Sequence, residues 1–532
     1  MSHKFSGRRR FLQNAALFST GLMTSLTSAR LSSASDVAVD ALVIGSGFGG
    51  AVAALRLAQA GINTVVLERG RRWPITPAQN TFATLPKPDG RAMWLSPTTI
   101  FGDPINVYTG VLEQRIENGI TVLAGAGVGG GSLVYNAITY QPPRDLFYRS
   151  FPTSINYNEL DKIYYPRVRS ILKPSPLPTD ILASPYYLST QVFLQQTKNA
   201  ELPNFLIDVA VDWNIVRQEI SGIKVPSAIV GEYWYGINSG AKNSLDKNYL
   251  AQAEATERVN ILPLHLVTAI SEVPGHGYRV ECNQIDEGGG IVAIKKITCR
   301  YLFLAAGSMG TSALLVKAKA TGTLPKLNDH IGLDWAGNGD VIAYFSGLPQ
   351  PTNPTQGGPA SAMMQYFNNP LGPLSIFPAP VPNLPEGSLT YVGMGIPSVT
   401  GKFTYDATTG LVRLTYPEDP KLLEEAKFAF RLLARKNATS TSKPEMETIQ
   451  GSILPKNRTG LTLTPPVTAH PLGGAVLGKA CDLYGRVMGY DGLYVVDGAL
   501  IPGSTGCANP SFTIAAMAER NMERIIAEDI VT

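Results

Sequence analysis

The sequence has few cysteines. Four occur in 532 residues, at Cys282, Cys299, Cys481 and Cys507. They form no CxxC pair and lack the spacing of a metal site, so no metal is expected. They are also too few for a disulfide scaffold. A pair could form outside the cell, but a chain of this length should not need it to fold.

Long apolar runs and an excess of one charge are also absent. Beyond residue 35 no stretch has 18 consecutive apolar residues, so no transmembrane helix is predicted in the mature chain. The formal net charge of +4 includes five basic residues among the first 34, where there is no acidic residue. Without that segment the net charge is −1, which gives no reason to expect nucleic acid as a partner. The length predicts two to four domains.

The first 35 residues have the layout of an export signal. Residues 8–12 read RRRFL, a twin-arginine pattern, and an apolar stretch follows over 15–23. Small residues then lead to cleavage after Ala29 or Ala34, which the sequence leaves open. We therefore expect a signal peptide over 1–35 and a periplasmic or secreted protein that is exported already folded. A disordered basic tail is the alternative.

A dinucleotide-binding pattern follows the signal. The apolar run 41–44 predicts a buried parallel strand, and 45–50 reads G-x-G-x-x-G. Residues 51–60 have helical periodicity, and 64–67 predict a second strand that ends on Glu68. This order of elements predicts a dinucleotide site, with a tight turn in an unrelated α/β protein as the alternative.

Each glycine of such a motif, and the acidic residue after the second strand, has a physical task. Gly45 permits the tight turn, Gly47 lets the backbone approach a pyrophosphate, and Gly50 lets the helix pack closely on the strand. The N–H groups of the helix N-terminus attract phosphate. Glu68 is placed to accept hydrogen bonds from an adenosine ribose. The motif alone does not separate FAD from NAD.

The pattern along the chain predicts a discontinuous core. Four apolar strands, each followed by a turn of small residues, are expected to contribute to this core. They lie at 41–44, 121–124, 301–305 and 493–496. A β-hairpin is predicted over 278–296, and helices over 312–320 and 421–436. Two Pro/Gly-rich stretches, 82–97 and 370–387, are expected to be long loops, either lids or plain connections.

Two further clusters carry candidate chemistry. Residues 125–131 are rich in glycine, which removes side chains where a flavin or pyrophosphate would lie against backbone. His470 is one of five histidines, and a Pro-Leu-Gly-Gly break follows it. A single histidine is more often structural than catalytic, but this break favours an imidazole that points at a cofactor.

Together these motifs resemble the glucose–methanol–choline (GMC) oxidoreductases, and within them the bacterial cholesterol oxidases that bind FAD non-covalently. The shared stretches are 45–50 with Glu68, 125–134, 242–250, 470–474 with 478–480, and 497–521. They cover the FAD-binding part in the same order, and the resemblance fades across 341–464.

The resemblance implies an α/β fold with a Rossmann-like FAD-binding domain and an inserted α+β substrate domain built on a mostly antiparallel sheet. The FAD-binding domain is expected over 36–145, 240–340 and 465–532, and the substrate-binding domain over 146–239 and 341–464. The implied cofactor is non-covalent FAD. The residues expected to bind it are Gly45, Gly47, Phe48, Gly49, Gly50, Glu68, Gly127, Gly130, Gly131, Ser132, Asn136, Val267, Asp497, Gly498, Asn509, Pro510 and Phe512.

The same resemblance implies a catalytic pair. His470 is the expected base for the hydroxyl proton, and Asn509 is expected to orient the substrate oxygen. For Asn509 the alternative is an asparagine that forms a turn before Pro510.

One position departs from the family pattern. Cholesterol oxidases of this type carry a buried glutamate that moves a proton during isomerisation, and aligning the Ala-Pro-x-Pro that follows it puts Phe377 there. Phenylalanine cannot carry a proton. Glu386 would replace that acid only if the loop were shifted. Phe377 and Met93 are expected to contact substrate.

The sequence therefore predicts FAD-dependent oxidation of a bulky lipophilic secondary alcohol, such as a 3β-hydroxysterol, with O₂ reduced to H₂O₂ and little or no isomerisation. The alternative is a GMC alcohol dehydrogenase that uses a quinone or another acceptor on a non-sterol alcohol. Transient contact with a membrane surface is expected, with Trp94 in a candidate opening loop. The oligomeric state cannot be read from the sequence.

Overall fold

The computed structural model describes residues 37–381, 384–437, 446–448, 460–463 and 466–531. The predicted signal peptide lies outside the described residues. In the part that is described, no helix is both long and apolar enough to cross a membrane.

The first large sheet contains the predicted dinucleotide motif. In spatial order its strands are β8 (Val259–Leu262), β2 (Thr64–Leu67), β1 (Val37–Ile44), β11 (Ile291–Leu304), β10 (Gly277–Ile285) and β9 (His265–Val273), with β21 (Leu493–Val495) also paired to β11. Strands β8, β2, β1, β11 and β21 pair in parallel, whereas β9, β10 and the first part of β11 form an antiparallel meander. The carboxyl-terminal parts of the parallel strands are buried, as at Ala41–Ile44, Val66–Leu67 and Leu302–Leu304, which explains their continuous apolar runs.

The second large sheet is mostly antiparallel. Its spatial order is β18 (Met446–Thr448), β19 (Gly460–Leu463), β12 (Asp340–Ser346), β15 (Leu389–Met394), β14 (Leu374–Pro378), β13 (Ala362–Tyr366) and β6 (Asn204–Leu206). Only β18 and β19 pair in parallel among these strands.

Smaller sheets and helices complete the described fold. The small sheets are β20 (Val467–Thr468) with β4 (Ile120–Gly125) and β3 (Leu112–Glu117), β16 (Lys402–Asp406) with β17 (Leu411–Thr415), and β5 (Ser175–Pro176) with β7 (Asp208–Val209). The α-helices are α1 (Phe48–Gln59), α2 (Arg144–Phe147), α3 (Tyr157–Glu159), α4 (Tyr165–Leu172), α5 (Thr179–Leu182), α6 (Leu188–Asn199), α7 (Trp213–Ile220), α8 (Tyr249–Glu254), α9 (Gly307–Ala320), α10 (Pro420–Lys436) and α11 (Pro510–Ile525).

Most local predictions are confirmed. β1 and β2 cover the two predicted apolar strands, α1 follows the glycine turn, and the predicted hairpin is β10 and β11. The Asp286 carboxylate closes that hairpin by accepting hydrogen bonds from the N–H groups of Gly288 and Gly290. Helix α10 begins one residue before its predicted start, and α9 begins five residues earlier than predicted.

Two local predictions are wrong. The predicted core strand at 121–124 is β4, which pairs with β3 and β20 rather than with the large parallel sheet. The stretch 370–387 is not a plain loop, because it contains β14, every residue of which is buried in the second sheet. Pro/Gly-rich turns flank β14, so the composition of the stretch predicts a loop. The strand forms through pairing with strands elsewhere in the chain, which a local pattern does not indicate.

The two large sheets fall in different parts of the predicted domain division. Every strand of the first lies within 36–145, 240–340 or 465–532, and the described strands of the second fall in 146–239 and 341–464 apart from the first residue of β12. Residues 36–532 nevertheless form one unit by their contacts. The division into two domains therefore stays a prediction. All four cysteines are buried and free.

Candidate active site

One continuous cavity of about 600 Å³ connects the dinucleotide motif with the C-terminal chemistry. The turn 45–49 and Glu68 line one part of it, and His470 and Asn509 line another. Strands β12, β14 and β15 of the second sheet contribute a further part of the wall. A ligand in this cavity would therefore contact both large sheets.

The glycine turn after β1 is shaped for a ligand that lies against backbone. Gly45 has φ +99° and a Cβ there would collide with the carbonyl oxygen of Ala305, so only glycine fits. A Cβ built on Gly47 or Gly131 would instead meet no protein atom within 4 Å, and both residues line the cavity. The cavity thus leaves room beside these two glycines for the backbone approach that a pyrophosphate requires.

The second glycine segment packs directly against the first. Gly130 has φ +53°, and a Cβ there would lie 2.7 Å from Cα of Gly47. Gly127, by contrast, faces Trp73 and Leu133 rather than the cavity. Glycine is therefore required at 130 because the two loops touch there. Glycine is required at 127 because the side chains of Trp73 and Leu133 occupy the space beside it.

Glu68 joins the two glycine segments through Ser46. Its Oε2 accepts hydrogen bonds from the Ser46 hydroxyl at 2.7 Å and from the Ser46 N–H at 3.1 Å, and Oε1 accepts from the Gly70 N–H at 2.8 Å. The Ser46 hydroxyl oxygen in turn accepts from the Gly129 N–H at 3.1 Å. Glu68 is 5% exposed and lines the cavity, so these hydrogen bonds hold its carboxylate in a fixed position at the cavity surface.

Asp497 lies at the end of β21, beside the N-terminus of α1. Its carboxylate accepts hydrogen bonds from the Thr311 hydroxyl at 2.6 Å and the Ala499 N–H at 2.8 Å. Burial raises the pKa of this carboxyl to about 6, even though both hydrogen bonds favour the charged form. Gly498 follows it and also lines the cavity.

His470 is tied to a carboxylate that lies 130 positions earlier in the chain. Both carboxylate oxygens of Asp340 lie 2.8 Å from Nδ1 of His470. Asp340 is the first residue of β12, and His470 follows β20 after one intervening residue. Two backbone hydrogen bonds of 2.9 Å between Ala336 and Leu472 hold these segments side by side.

This contact fixes the tautomer of the imidazole. A carboxylate only accepts hydrogen bonds, so Nδ1 of a neutral His470 carries the proton. Nε2 then has a free lone pair, and it faces Nδ2 of Asn509 at 3.4 Å. The geometry thus leaves Nε2 as the proton-accepting atom of the cavity.

Asn509 occupies the N-cap position of α11, with Pro510 in the first turn. Its side chain makes no capping hydrogen bond, and its Oδ1 is buried without a partner among the described residues. A turn-forming asparagine would use its side chain on its own backbone. Here the amide points to His470 instead.

The wall formed by the second sheet is apolar. Phe377 on β14 is 1% exposed and lines the cavity. The other apolar residues of this wall are Ile342, Ala360, Ala379, Pro380, Val392 and Met394. The acidic residues that line the cavity, within the described ranges, are Glu68, Glu113, Asp340 and Asp497.

The structure brings most of the predicted site residues to this cavity. Those that line it are Gly45, Gly47, Phe48, Gly49, Glu68, Gly130, Gly131, Asn136, Val267, Phe377, His470, Asp497, Gly498, Asn509 and Pro510. Those that do not are Gly50, Met93, Gly127, Ser132 and Phe512.

The residues outside the cavity have other contacts. The Ser132 hydroxyl donates to the Gly129 carbonyl at 2.7 Å and accepts from the Leu245 N–H at 3.0 Å. The Phe512 ring packs on Tyr165 with centroids 4.8 Å apart. A Cβ on Gly50 would collide with the carbonyl oxygen of Gly45, so this glycine serves helix packing as predicted.

The predicted opening loop over 82–97 is packed into the protein. Met93 is fully buried in an apolar cluster with Trp73, Phe82 and Leu123. Trp94 is 9% exposed, and the Arg69 guanidinium lies 5.2 Å from its ring. Both side chains are therefore structural in this conformation.

Glu386 also lies away from the cavity. It is exposed, and its carboxylate accepts hydrogen bonds from the backbone N–H groups of Thr352 and Asn353. These bonds lower the pKa of its carboxyl. It does not supply the acid that is missing at Phe377.

Sequence reasoning missed three residues of the site. Asp340 carried no local motif, because its partner is distant in the chain. Ser46 was an unspecified position of the glycine motif. His265 belongs to none of the motifs, but it lines the cavity near Val267, with Nδ1 2.8 Å from the Pro263 carbonyl oxygen and a buried Nε2 without a partner among the described residues.

Comparisons with known proteins agree with this geometry. A family model described as GMC oxidoreductase matches residues 400–518, and one described as FAD binding domain matches residues 40–78. A cholesterol oxidase of Mycobacterium tuberculosis is 26% identical over 552 residues, with 90% of each chain covered. A cholesterol oxidase of Acinetobacter baumannii is 24% identical, with 92% of this chain and 94% of that protein covered.

Solved structures show the same fold. The crystal structure of pyridoxine 4-oxidase from Mesorbium loti has a TM-score of 0.61 at 15% identity, and covers 92% of this chain and 99% of its own. The comparisons confirm the resemblance to GMC oxidoreductases and the Rossmann-like α/β fold. They also confirm FAD as the cofactor, and the room beside Gly47 and Gly131 fits it.

Proposed function

We propose that this FAD-dependent alcohol oxidoreductase of the GMC type oxidises a bulky lipophilic secondary alcohol to the ketone, with O₂ as the electron acceptor. A 3β-hydroxysterol is the substrate class that we expect. The overall reaction converts the alcohol and O₂ to the ketone and H₂O₂. The observation that carries the proposal is the arrangement of His470 between Asp340 and Asn509, in the same cavity as the dinucleotide motif.

Side chains of the protein accept the proton that the alcohol hydroxyl loses. Nε2 of His470 takes the hydroxyl proton, and the Asp340 carboxylate stabilises the imidazolium that results. The Asn509 amide holds the substrate oxygen and so orients the carbon–hydrogen bond that must break. Bound FAD supplies the acceptor for the hydride.

The apolar wall supports a lipophilic substrate. Phe377 and its neighbours offer no hydrogen bond along β14 and β15, so an alcohol with several hydroxyl groups would lose hydration without compensation there. His470 and Asn509 are the polar side chains that we propose meet the hydroxyl group; Tyr233 and Trp234 also line the cavity, and the Trp234 indole N–H is donated to the Pro380 carbonyl at 3.3 Å. This distribution favours a molecule with one hydroxyl group on a large hydrocarbon body over a sugar.

The same wall argues against isomerisation of a sterol product. Phe377 cannot transfer a proton, and the Asp340 carboxylate, which also lines the cavity, is already bound by His470 and by the Thr468 hydroxyl at 2.8 Å. We propose that a sterol would leave as the unconjugated ketone.

An anaerobic absorbance titration of the purified holoenzyme tests the proposal. Cholesterol and a panel of lipophilic alcohols, sugars and polyols are added in turn, and loss of the oxidised flavin spectrum identifies the substrate. Return of that spectrum on admission of O₂, with one H₂O₂ per ketone, supports an oxidase. A reduced flavin that O₂ leaves unchanged, but a quinone reoxidises, would replace the oxidase by a dehydrogenase.

Export through the twin-arginine pathway is part of the proposal. Replacement of Arg8 and Arg9 by lysine keeps the charge but removes the pattern that the pathway reads. We expect the wild-type enzyme outside the cytoplasm and the double variant retained within it, with FAD content unchanged. Equal distribution of both proteins would reject this route.

Transient contact with a lipid surface follows from a lipophilic substrate. The test compares flavin reduction by an alcohol in phospholipid vesicles and in detergent micelles. A rate that rises with vesicle surface area at fixed alcohol concentration supports direct contact, and a rate set only by free alcohol rejects it.

A further inference from the structure

We propose that the four residues 337–340, which we call the bracket, set the distance between His470 and Asn509. Asp340 at one end of the bracket holds the imidazole, and Asn338 holds the loop that carries Asn509. Both are positioning residues. This inference rests on the proposed function, in which His470 and Asn509 act on one hydroxyl group.

We call each of these two side chains, together with its hydrogen bonds, an arm of the bracket. The Asp340 arm fixes His470 at its ring and at its backbone. The carboxylate lies 2.8 Å from Nδ1, and it also accepts a hydrogen bond of 3.3 Å from the Ala469 N–H. The Thr468 hydroxyl lies 2.8 Å from Asp340 Oδ2 and accepts the His470 N–H at 2.8 Å. The hydrogen bonds from Thr468 and Ala469 hold the carboxylate in place, and the carboxylate in turn holds Nδ1, so Asp340 sets the orientation of the imidazole.

The Asn338 arm fixes the loop before Asn509. Asn338 is fully buried, and its Oδ1 accepts the Thr505 N–H at 2.9 Å while its Nδ2 donates to the Ala508 carbonyl at 2.8 Å. The Thr505 hydroxyl donates to the same carbonyl at 2.6 Å. Since Ala508 is joined to Asn509 by a peptide bond, this arm ends one residue from the catalytic amide.

The backbone of the bracket allows little adjustment. Asn338 has φ +56° and Gly339 has φ +73°, a left-handed turn that asparagine and glycine tolerate best. A Cβ on Gly337 would lie 3.0 Å from Cβ of Thr468, and a Cβ on Gly339 would lie 2.5 Å from the Gly395 carbonyl oxygen. The bracket is thus confined on both sides, and its two side chains face different catalytic segments.

The two arms converge on one contact. Nδ2 of Asn509 and Nε2 of His470 are 3.4 Å apart, which is long for a hydrogen bond and leaves little margin for displacement. Damage to either arm changes this same distance. The effects of the two arms on the chemical step should therefore not add.

The test uses three variants of the holoenzyme: Asp340→Asn, Asn338→Gly and the double variant. Glycine at 338 tolerates the positive φ, so it removes the side chain without straining the turn. The matched control is Asn238→Ala, which removes another buried amide whose two hydrogen bonds, at 2.8 and 3.2 Å, hold the backbone of Phe82. This control measures how much the loss of any buried amide side chain slows flavin reduction, apart from an effect on the bracket.

The first readout is the ¹⁵N spectrum of the histidine rings, with His470→Gln used to assign the signals. We expect a protonated Nδ1 and an unprotonated Nε2 in the wild type. Asp340→Asn should lose this preference for one tautomer, and Asn338→Gly should shift only the Nε2 signal because the Asn509 amide has moved. Unchanged spectra in both variants would overturn the proposal, whether or not any alcohol is turned over.

The second readout is the rate of anaerobic flavin reduction by the alcohol found above. We expect a loss of about 10²- to 10⁴-fold in Asp340→Asn and about 10²-fold in Asn338→Gly. The double variant should be little slower than Asp340→Asn, and substrate affinity should change little. Fully multiplicative losses, or a control as slow as Asn338→Gly, would overturn the proposal. If no alcohol reduces the flavin, the proposed function fails, and the spectra still decide the roles of the bracket.

Discussion

Asp340 and His470 form a shielded pair in which a carboxylate oxygen lies 2.8 Å from the imidazole Nδ1, and 5% of the Asp340 side chain is exposed. Because the carboxylate is largely removed from water, its attraction for a positive charge on the ring is only weakly screened. This arrangement fits the proposed role of His470, in which Nε2, 3.4 Å from Nδ2 of Asn509, takes the hydroxyl proton.

Replacement of His470 tests that role directly. His470→Gln should keep FAD bound and slow anaerobic flavin reduction by about 10²- to 10⁴-fold, since it removes the proton acceptor. His276→Gln is the matched control, because His276 is exposed in a hairpin turn and does not line the cavity. Equal rates in wild type and His470→Gln would remove His470 from the mechanism.

Glu68 should determine how tightly FAD is held. Glu68→Ala leaves the Ser46 and Gly70 N–H groups without their acceptor and removes the expected ribose contact. Loss of hydrogen bonds to a charged group costs about 1.5–3 kcal/mol, which corresponds to roughly 10- to 100-fold weaker binding. Flavin fluorescence during reconstitution measures this, with Glu254→Ala as the control at a partly exposed ion pair. Full FAD occupancy on dilution of the variant would contradict the prediction.

Phe377 should decide the product from a sterol with a ring double bond beside the oxidised carbon. We expect the unconjugated ketone to accumulate, because the described residues of the apolar wall offer no proton carrier. Chromatography of the products, with the ultraviolet absorbance of the conjugated enone as the marker, measures the ratio. Phe377→Leu is a useful comparison, as it retains an apolar side chain and should give the same ratio. Rapid formation of the enone by the wild type would reject the argument.

Glu232 should make stability depend on pH. Burial raises the pKa of its carboxyl to about 7 from 4.5, and the nearby Glu219 adds to this shift. A carboxyl with a raised pKa takes up a proton on folding, so its contribution to stability is complete below about pH 4.5 and is lost as the pH rises through 7. Glutamine is neutral throughout this range. We expect Glu232→Gln to gain up to about 3 kcal/mol over wild type between pH 5 and pH 8.

Melting temperatures of the holoenzymes at pH 5, 6, 7 and 8 measure this difference. Glu418→Gln, at an exposed position, serves as the control and should show no such trend. A gap between Glu232→Gln and wild type that stays constant across the range would show that the carboxyl does not titrate there.

Much of the cofactor part could be predicted because its signals are local. The strand, the glycine turn and Glu68 lie within one βαβ unit, and each residue's task follows from the turn geometry. β4 shows the limit of this reasoning. Its apolar pattern was read correctly as a strand, but its partner β20 lies near residue 467, and no local pattern specifies that pairing.

The substrate part was less predictable for the same reason. Asp340 begins a strand and carries no motif, so only the folded chain brings it to His470. Met93 was expected to contact substrate because it lies in a Pro/Gly-rich stretch, yet apolar contacts with Trp73 and Phe82 bury it elsewhere. Tertiary packing decides whether such a stretch is a lid or part of the core.

The continuous cavity also determines when selectivity for the alcohol arises. The glycine turns and the apolar wall border one space, so a cofactor held at the glycine turns would itself form part of the boundary of the space left for the alcohol. Molecules that bind the protein before FAD is loaded would encounter a larger chamber of different shape. Selection among alcohols is thus acquired only on assembly with the cofactor, and ligand screens made on the apoprotein would rank a different set of molecules from those that the enzyme converts.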